Sequence, residues 1–474
     1  EVIAQADTQD ILPEIDSDGE AETVTYPAGF FAQYNPLTAL DMVQRVPGFQ
    51  IDDGDDLRGF GSAAGNVLID HRRPSTKQDL ISAILDRIPA ENIERIDLIR
   101  GQIQDIKMEG HTTVANVIMK GNVLATNRWE TFLIHTSPSP LGTGGSVSLA
   151  HRWRAIDYNL GLDLARDTNG ITGTVEKYDA SNSLIETRID DRHQTGIAIG
   201  GIYLNASSLL DGTLYNLNTK VGFRKNDGME LSRRFPHVPG EDPFEILFED
   251  DGRRPQVSAG IDAERFLRKD LQGKAILVFT HSSQDATSTQ STTDSTGTVL
   301  GLKTAEEETK TTEAIARLEF DWFGWAGHTL MGNIEGAYNV LNNSLLLTED
   351  AGTGPMVVNV PNANTRVEEV RGNILLKDTW TLGDWVWSYG LGAEVSTITQ
   401  TGDTEQERSF FYLKPESLIT YSPYQHRQSR LRIAREVSQL NFNDFVSTTA
   451  FVDDDLALGN PDLKPEATWI TELT

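Results

Sequence analysis

The chain has 474 residues, with 41 Lys plus Arg against 70 Asp plus Glu, a formal net charge of −29, and no cysteine. The missing cysteines exclude a disulfide scaffold and a thiolate metal site. The acidic balance excludes a nucleic-acid binder and a polybasic membrane anchor. No window of about 18 consecutive apolar residues occurs, which excludes a transmembrane helix but not transmembrane strands, whose alternation keeps average hydropathy low.

Residues 1–21 are polar and acidic and read as a flexible tail. Ala4-Gln5-Ala6 has the small-residue form of a signal-peptidase site, so the start reads as already processed. Residues 36–122 read as a small mixed unit. Pro36 opens a helical stretch with Leu40, Met42, Val43 and Val46 near one face, ended by Pro47-Gly48. Asp79 is a candidate cap for a second helix carrying Leu80, Ile81, Ile84, Leu85 and Ile88. Short strands at 66–70, 95–100 and 113–119 complete a compact four-stranded α+β unit.

From Trp129 onward alternation takes over. Ala316, Leu318, Phe320 and Trp322 share one strand face, and Ile315, Arg317, Glu319 and Asp321 the other. Leu217, Thr219, Val221 and Phe223 likewise oppose Asn216, Asn218, Lys220 and Gly222, and Leu431, Ile433 and Val437 oppose Arg430, Arg432 and Glu436. A period of two with one charged face fits a soluble sandwich, apolar inside, or a membrane barrel, apolar outside. The connections separate the two. Tight turns are expected at 153–155, 205–212, 269–273, 323–327, 381–384 and 421–426, and long polar loops at 167–190, 225–256, 282–311, 342–364 and 441–464. Short connections at one end and long ones at the other are the outer-membrane arrangement. Phe320, Trp322, Phe323, Trp325, Trp380, Trp385, Trp387, Tyr421 and Tyr424 gather beside the tight turns, as one interfacial girdle requires. Segment counting gives about 14 strands.

The motifs become specific at residues 22–120: Glu22-Thr23-Val24-Thr25-Tyr26-Pro27, then 38–49 (TALDMVQRVPGF), Arg58-Gly59-Phe60-Gly61, 66–70 (NVLID), 88–101 (IPAENIERIDLIRG) and 114–118 (VANVI). This run resembles the plug domain of the TonB-dependent outer-membrane receptors. Later, 411–416 (FYLKPE) and 459–466 (GNPDLKPE) resemble motifs of that family's barrel. The resemblance implies a mainly β protein: an antiparallel transmembrane β-barrel, 22-stranded in the family and about 14-stranded in this chain, with an α+β plug in its lumen. The implied layout is a tail at 1–21, a TonB box at 22–27, the plug at 28–125 and the first part of the barrel at 126–474. About eight strands of the family's count are missing, so the chain reads as a fragment or as a barrel completed by a second chain. An open edge in lipid would leave backbone groups unpaired.

The implied function is active import of a scarce solute across a Gram-negative outer membrane, with no enzymatic chemistry, cofactor or metal. TonB, with ExbB and ExbD, would displace the plug using the proton-motive force. For that, Glu22, Thr23, Val24, Thr25, Tyr26 and Pro27 should form an extended, exposed segment able to add a strand to a partner's sheet. A siderophore, saccharide or other nutrient would bind plug-apex residues, with Phe60, Arg72 and Arg73 as candidates. Arg95 and Arg100, with Asp97 beside them, are candidates for ion pairs across the plug–barrel boundary with Glu319, Asp321 or Glu368; solvated lumen charge is the alternative. Membrane lipid and lipopolysaccharide would surround the barrel. A passive porin-like pore and a soluble β-rich glycan-binding or glycan-active protein remain open. The Gly59–Gly65 stretch lacks a phosphate-loop ending, the nine His show no ligand spacing, and acid pairs such as Asp52-Asp53 read as exposed turns.

Overall fold

The computed structural model describes residues 14–17, 21–53, 65–73, 80–101, 113–120, 125–135, 137, 139–424, 427–451 and 455–473. The first unit holds β1 (Glu14–Ser17), β2 (Ala21–Pro27), β3 (Val67–Ile69), β4 (Ile93–Gly101) and β5 (Thr113–Met119), in the sheet order β1-β2-β4-β5-β3. Among the described residues of this unit, only the β3–β5 pair is parallel. Three short helices accompany the sheet: α1 (Ala28–Phe31), α2 (Ala39–Val43) and α3 (Ile81–Asp86). Phe31, Met42, Val43 and Leu85 pack with Ile93, Ile96, Leu98 and Val117 in its main core. Leu68, Ile99 and Val114 form a second buried cluster, so β4 buries apolar side chains on both faces, as in a sheet covered on both sides.

Side chains fix the starts of α2 and α3. Thr38 Oγ1 accepts the Asp41 N–H at 3.2 Å while the Asp41 carboxylate accepts the Thr38 N–H at 3.0 Å, a capping box for α2. For α3, the Asp53 carboxylate accepts the Ser82 backbone N–H at 2.7 Å and its hydroxyl at 2.9 Å. Asp53 is therefore a structural group and not an exposed turn acid; Asp79, expected to cap this helix, lies outside the described residues.

Two expectations change here. Residues 14–17, read as part of a flexible tail, pair with β2 along Glu14↔Thr25 to Ser17↔Glu22. The segment 22–27, expected to be exposed, is an inner strand held by β1 on one side and β4 on the other, with Val24 and Tyr26 buried. Alternate apolar residues at 24 and 26 reach the core, which is what makes the segment part of the sheet.

The second unit is one antiparallel sheet. It comprises β6 (Thr126–Ile134), β7 (Gly142–Trp153), β8 (Ile156–Tyr178), β9 (Leu184–Leu210), β10 (Thr213–Pro236), β11 (Phe244–Arg268), β12 (Leu271–Asp294), β13 (Val299–Trp322), β14 (His328–Asp350), β15 (Met356–Val358), β16 (Asn364–Leu382), β17 (Trp385–Gly402), β18 (Gln406–Tyr424), β19 (Arg427–Val437) and β22 (Ala467–Leu473). A separate hairpin pairs β20 (Thr448–Ala450) with β21 (Asp455–Ala457). The path from β6 to β22 follows chain order, with β15 attached beside β14. Omitting β15 it has 14 strands, the number expected. The tight turns fall where expected, for example at Arg154-Ala155 and at Asp211-Gly212, where both residues take positive φ (48° and 73°).

Three of the five long loops do not, whereas 441–464 remains a long connection. β8 to β14 are 23 to 27 residues each. At about 3.3 Å per residue such strands run roughly 80 Å, more than twice the ~30 Å hydrocarbon core. The polar segments at 167–190, 225–256 and 282–311 are mostly strand, forming hairpins that project far beyond a membrane. Three tips share one device. Asp179 accepts the N–H groups of Ser181 and Ser183, Asp294 those of Thr296 and Thr298, and Asp350 those of Gly352 and Gly354, all at 2.8–2.9 Å. An aspartate followed at the second and fourth positions by small or hydroxyl residues closes each tip.

Hydrogen bonds from Thr296 and Thr298 hold the Asp294 carboxyl below its ordinary range. Since the folded pKa is depressed, this stabilisation is present above the unfolded value near 4 and is lost as pH falls through the folded one. Amide exchange at Thr296 and Thr298 is expected to accelerate, relative to intrinsic rates, on acidification below about pH 4. An Asp294→Ala variant should exchange fast at every pH.

Candidate functional site: the lumen wall and the seated plug

Register decides which wall residues share a face. Leu277 and Phe279 on β12, Leu318 and Phe320 on β13, Ile334 and Tyr338 on β14, and Val370, Ile374 and Leu376 on β16 are exposed on the outer face. Among the alternate, buried residues are Asp262, Glu313, Arg317, Glu319, Asp321, Glu335, Glu369, Arg371 and Glu394, beside a small apolar cluster of Ile276, Val278, Ile315 and Ala337. An apolar exterior with a charged interior inverts a soluble sandwich and is the barrel arrangement. No helix among the described residues is long and apolar enough to cross a membrane.

The aromatics gather at the tight-turn end. Trp325 stacks on His328 with centroids 4.0 Å apart, His328 on Trp380 at 5.5 Å, and Trp385 on Tyr421 at 4.2 Å. Trp325, Trp380, Trp385 and Tyr421 are among the girdle residues expected from turn position; His328, stacked between two of them, was not.

On the lumen face the charges form a connected network. Arg317 Nε lies 2.9 Å from Glu319, and its Nη1 3.6 Å from Glu335. Arg371, with a side chain only 1% exposed, contacts Glu335 at 3.2 Å and donates to Gln439 Oε1 at 2.6 Å. Asn373 donates to Glu335 and accepts from Lys414 Nζ, which pairs with Glu394 at 2.8 Å. The chain of contacts spans β13, β14, β16, β17 and β18, and every charge in it has an opposite partner, as burial requires.

The segment 438–466 folds back against this wall. Phe442, Phe445 and Val446 pack on Leu341, Val367 and Ile398. The two later sequence motifs meet here: the Tyr412 hydroxyl donates to the Pro465 carbonyl at 3.2 Å, and Arg408 donates to the Pro461 carbonyl. Asn362 Nδ2 donates to the Gly459 carbonyl at 3.1 Å, and the Asn460 N–H to the Asp444 carbonyl at 2.8 Å. A Cβ at Gly459 would lie 2.2 Å from the Phe445 carbonyl oxygen, so only glycine lets the two backbones approach. Gly459→Ala is expected to destabilise by about 1–3 kcal/mol as an overpacking change, read as a lower unfolding midpoint in detergent with faster exchange at Val446.

The expected site residues separate. Arg95 pairs within the plug, with Glu94 at 2.6 Å and Asp97 at 3.1 Å, so the expected wall partner is corrected. Glu319 and Asp321 are buried on the lumen face, as expected. Glu368 is on the outer face with Arg366 and Tyr338, because the inward residue is its neighbour Glu369. Arg100 lies on β4, half-buried. Arg72 is exposed beside a turn whose central residues, Asp70 and His71, take φ of 48° and 66°. Arg73 Nε donates to the Gly65 carbonyl at 2.8 Å. Phe60 lies outside the described residues. Burial pushes the Asp70 carboxyl up, against the opposing Met119 N–H. Sequence reasoning missed Glu335, Arg371, Glu394 and Lys414, because only the register opposes residues such as Arg317 and Glu335.

Residues 18–107 match the family described as the TonB-dependent Receptor Plug Domain. This chain carries the plug of a TonB-dependent receptor. Behind it stands the large antiparallel sheet with its charged inner face; TonB-dependent receptors are outer-membrane β-barrels and transporters rather than enzymes. Among solved structures, the chain is similar to the siderophore receptor PiuA from Acinetobacter baumannii, at 12% identity and a TM-score of 0.47, over 99% of this chain and 71% of that one. It is similar to the ferric-catecholate import receptor Fiu from E. coli K12, at 11% identity and a TM-score of 0.48, over 95% of this chain and 70% of that one. For the ferric citrate transporter FecA in its unliganded form the values are 12% and 0.45, over 95% of this chain and 66% of that one. The receptor thus spans 66–71% of the length of these three. No curated protein sequence matches it.

Proposed function

We propose that the receptor binds a scarce solute at the outer side of the plug and imports it across the Gram-negative outer membrane, with TonB, ExbB and ExbD coupling the proton-motive force to plug displacement. The observation that carries this reading is the plug at residues 18–107 ahead of a sheet with a charged inner and an apolar outer face. A passive pore has no use for that plug, and a soluble glycan-active protein has no use for the outer apolar face. The exposed Arg72, with Arg73 and Phe60 close in sequence, supplies cationic and aromatic ligand contacts. In this reading a plug, whose sheet starts at β1, is followed by the barrel from residue 126. TonB contact at 22–27 then requires β2 to be released from both β1 and β4.

The test is uptake of a radiolabelled panel (ferric siderophores, oligosaccharides, cobalamin) by cells with and without the receptor. One member should enter only when the receptor is present and the membrane energised, and a protonophore should abolish its uptake. Receptor-dependent uptake that survives the protonophore contradicts the reading and identifies a pore.

A further inference from the structure

We propose that the C-terminal end of α3 is the docking point that seats the plug on the wall, through Arg87 on Tyr203 and Arg128 on Asp86. In the β8–β9 pair Tyr203 stands directly opposite Gly161. A Cβ at Gly161 would lie 1.9 Å from the Tyr203 ring, so the ring lies across β8 where any other side chain would stand. This presents an aromatic face to the lumen. The Arg87 guanidinium carbon sits 3.8 Å from the ring centroid, and both residues are buried, at 7% and 1% exposure. A cation over an aromatic face is attracted most strongly when water is excluded.

The adjacent residue is gripped separately. Arg128, on β6, donates to the Asp86 carbonyl and lies 3.4 Å from the Asp86 carboxylate and 2.8 Å from Glu130. That carbonyl is among the last of α3 and has no acceptor role inside the helix, which leaves it for an arginine from outside. Two consecutive plug residues are thus held by β6 and β9, with Gly161 on β8 making room for the ring. The other side of α3 is fixed to the plug, by Asp53 on Ser82 and by Leu85 in the main core. The contact therefore transmits to the plug as a body. Its role is to keep the lumen sealed, which goes beyond the transport reading and depends on neither TonB nor a substrate.

The test is entry of vancomycin, which an intact outer membrane excludes, into cells expressing the receptor. Arg87→Leu, Tyr203→Leu and Gly161→Val should each lower the inhibitory concentration several-fold, with the Arg87/Tyr203 double variant no worse than either single one. Tyr203→Phe keeps the ring face and should seal like the parent. Because the chain has no cysteine, Asp86→Cys with Arg128→Cys can be joined by a short bifunctional maleimide. In the Arg87→Leu background that link should restore sealing, which a folding defect would not allow. Arg87→Lys keeps the charge without the planar stack and should leak; it serves if the leucine variants assemble poorly. Sealing by both leucine variants, or by Arg87→Lys, at normal levels of folded receptor overturns the proposal. So does a cross-link that restores nothing.

Discussion

Replacing Arg371 with leucine is expected to destabilise the receptor by about 3–5 kcal/mol, the cost of breaking a buried charge pair from one side. Arg371 is the junction of the lumen network: it touches Glu335 on β14 and Gln439 on the inward-folded segment. Without it, Glu335 keeps Arg317 at 3.6 Å, a longer contact. Gln439 loses its donor, so the segment carrying Phe442 and Phe445 should loosen as well. Arg366→Leu is the control. Arg366 stands on the outer face, 45% exposed, paired with Glu368, and exposed pairs contribute at most about 1 kcal/mol. Denaturant unfolding in detergent micelles reads both. Replacing Arg371 and Glu335 together by methionine should recover much of the loss, because the unpaired charge disappears. Equal effects at 366 and 371 would mean that the network is solvated.

Leu318→Arg is the second large effect. Leu318 is 48% exposed on the outer face, while Arg317 and Glu319 beside it are buried. A lipid-facing arginine near the midplane costs about 2–4 kcal/mol, falling to about 0–1 near the interfaces. The loss should appear in folding into lipid vesicles and shrink in detergent that lets water reach the side chain. A Leu302→Arg change, on the same face but far along β13 toward its polar tip, should be nearly neutral. If the order of these two is reversed, the position of the apolar band is wrong.

Much of this was legible in the sequence, for reasons particular residues make plain. The faces of β13 could be read because Leu318 and Phe320 alternate with Arg317, Glu319 and Asp321. The same strand became illegible at Glu306, Glu308 and Lys310, where the outer face stands in water and both faces are polar. There the strand shows only as Thr-rich composition, a weak β signal. That is why these hairpins read as loops in the sequence. The 22–27 segment was read as exposed because an inner strand and a free extended strand use the same residues. Its partner, Glu14-Ile15-Asp16-Ser17, carries no apolar alternation to announce it. Glu368 reads as inward in the sequence because a one-residue change of parity reverses a side chain's face, and Glu369 is the inward acid. Cross-strand opposition, such as Arg317 against Glu335 or Tyr203 against Gly161, depends on register and is absent from any single segment.

The most direct test of the central claim, a plugged barrel with lipid outside and charge within, is site-directed spin labelling along 314–321. The absence of native cysteine lets one label be placed at a time in receptor reconstituted in lipid. Collision with dissolved oxygen should be high at 314, 316, 318 and 320 and low at 315, 317, 319 and 321, with a period of two. Uniform access to a water-soluble nickel reagent at the even positions, or high oxygen collision at the odd ones, would contradict the account.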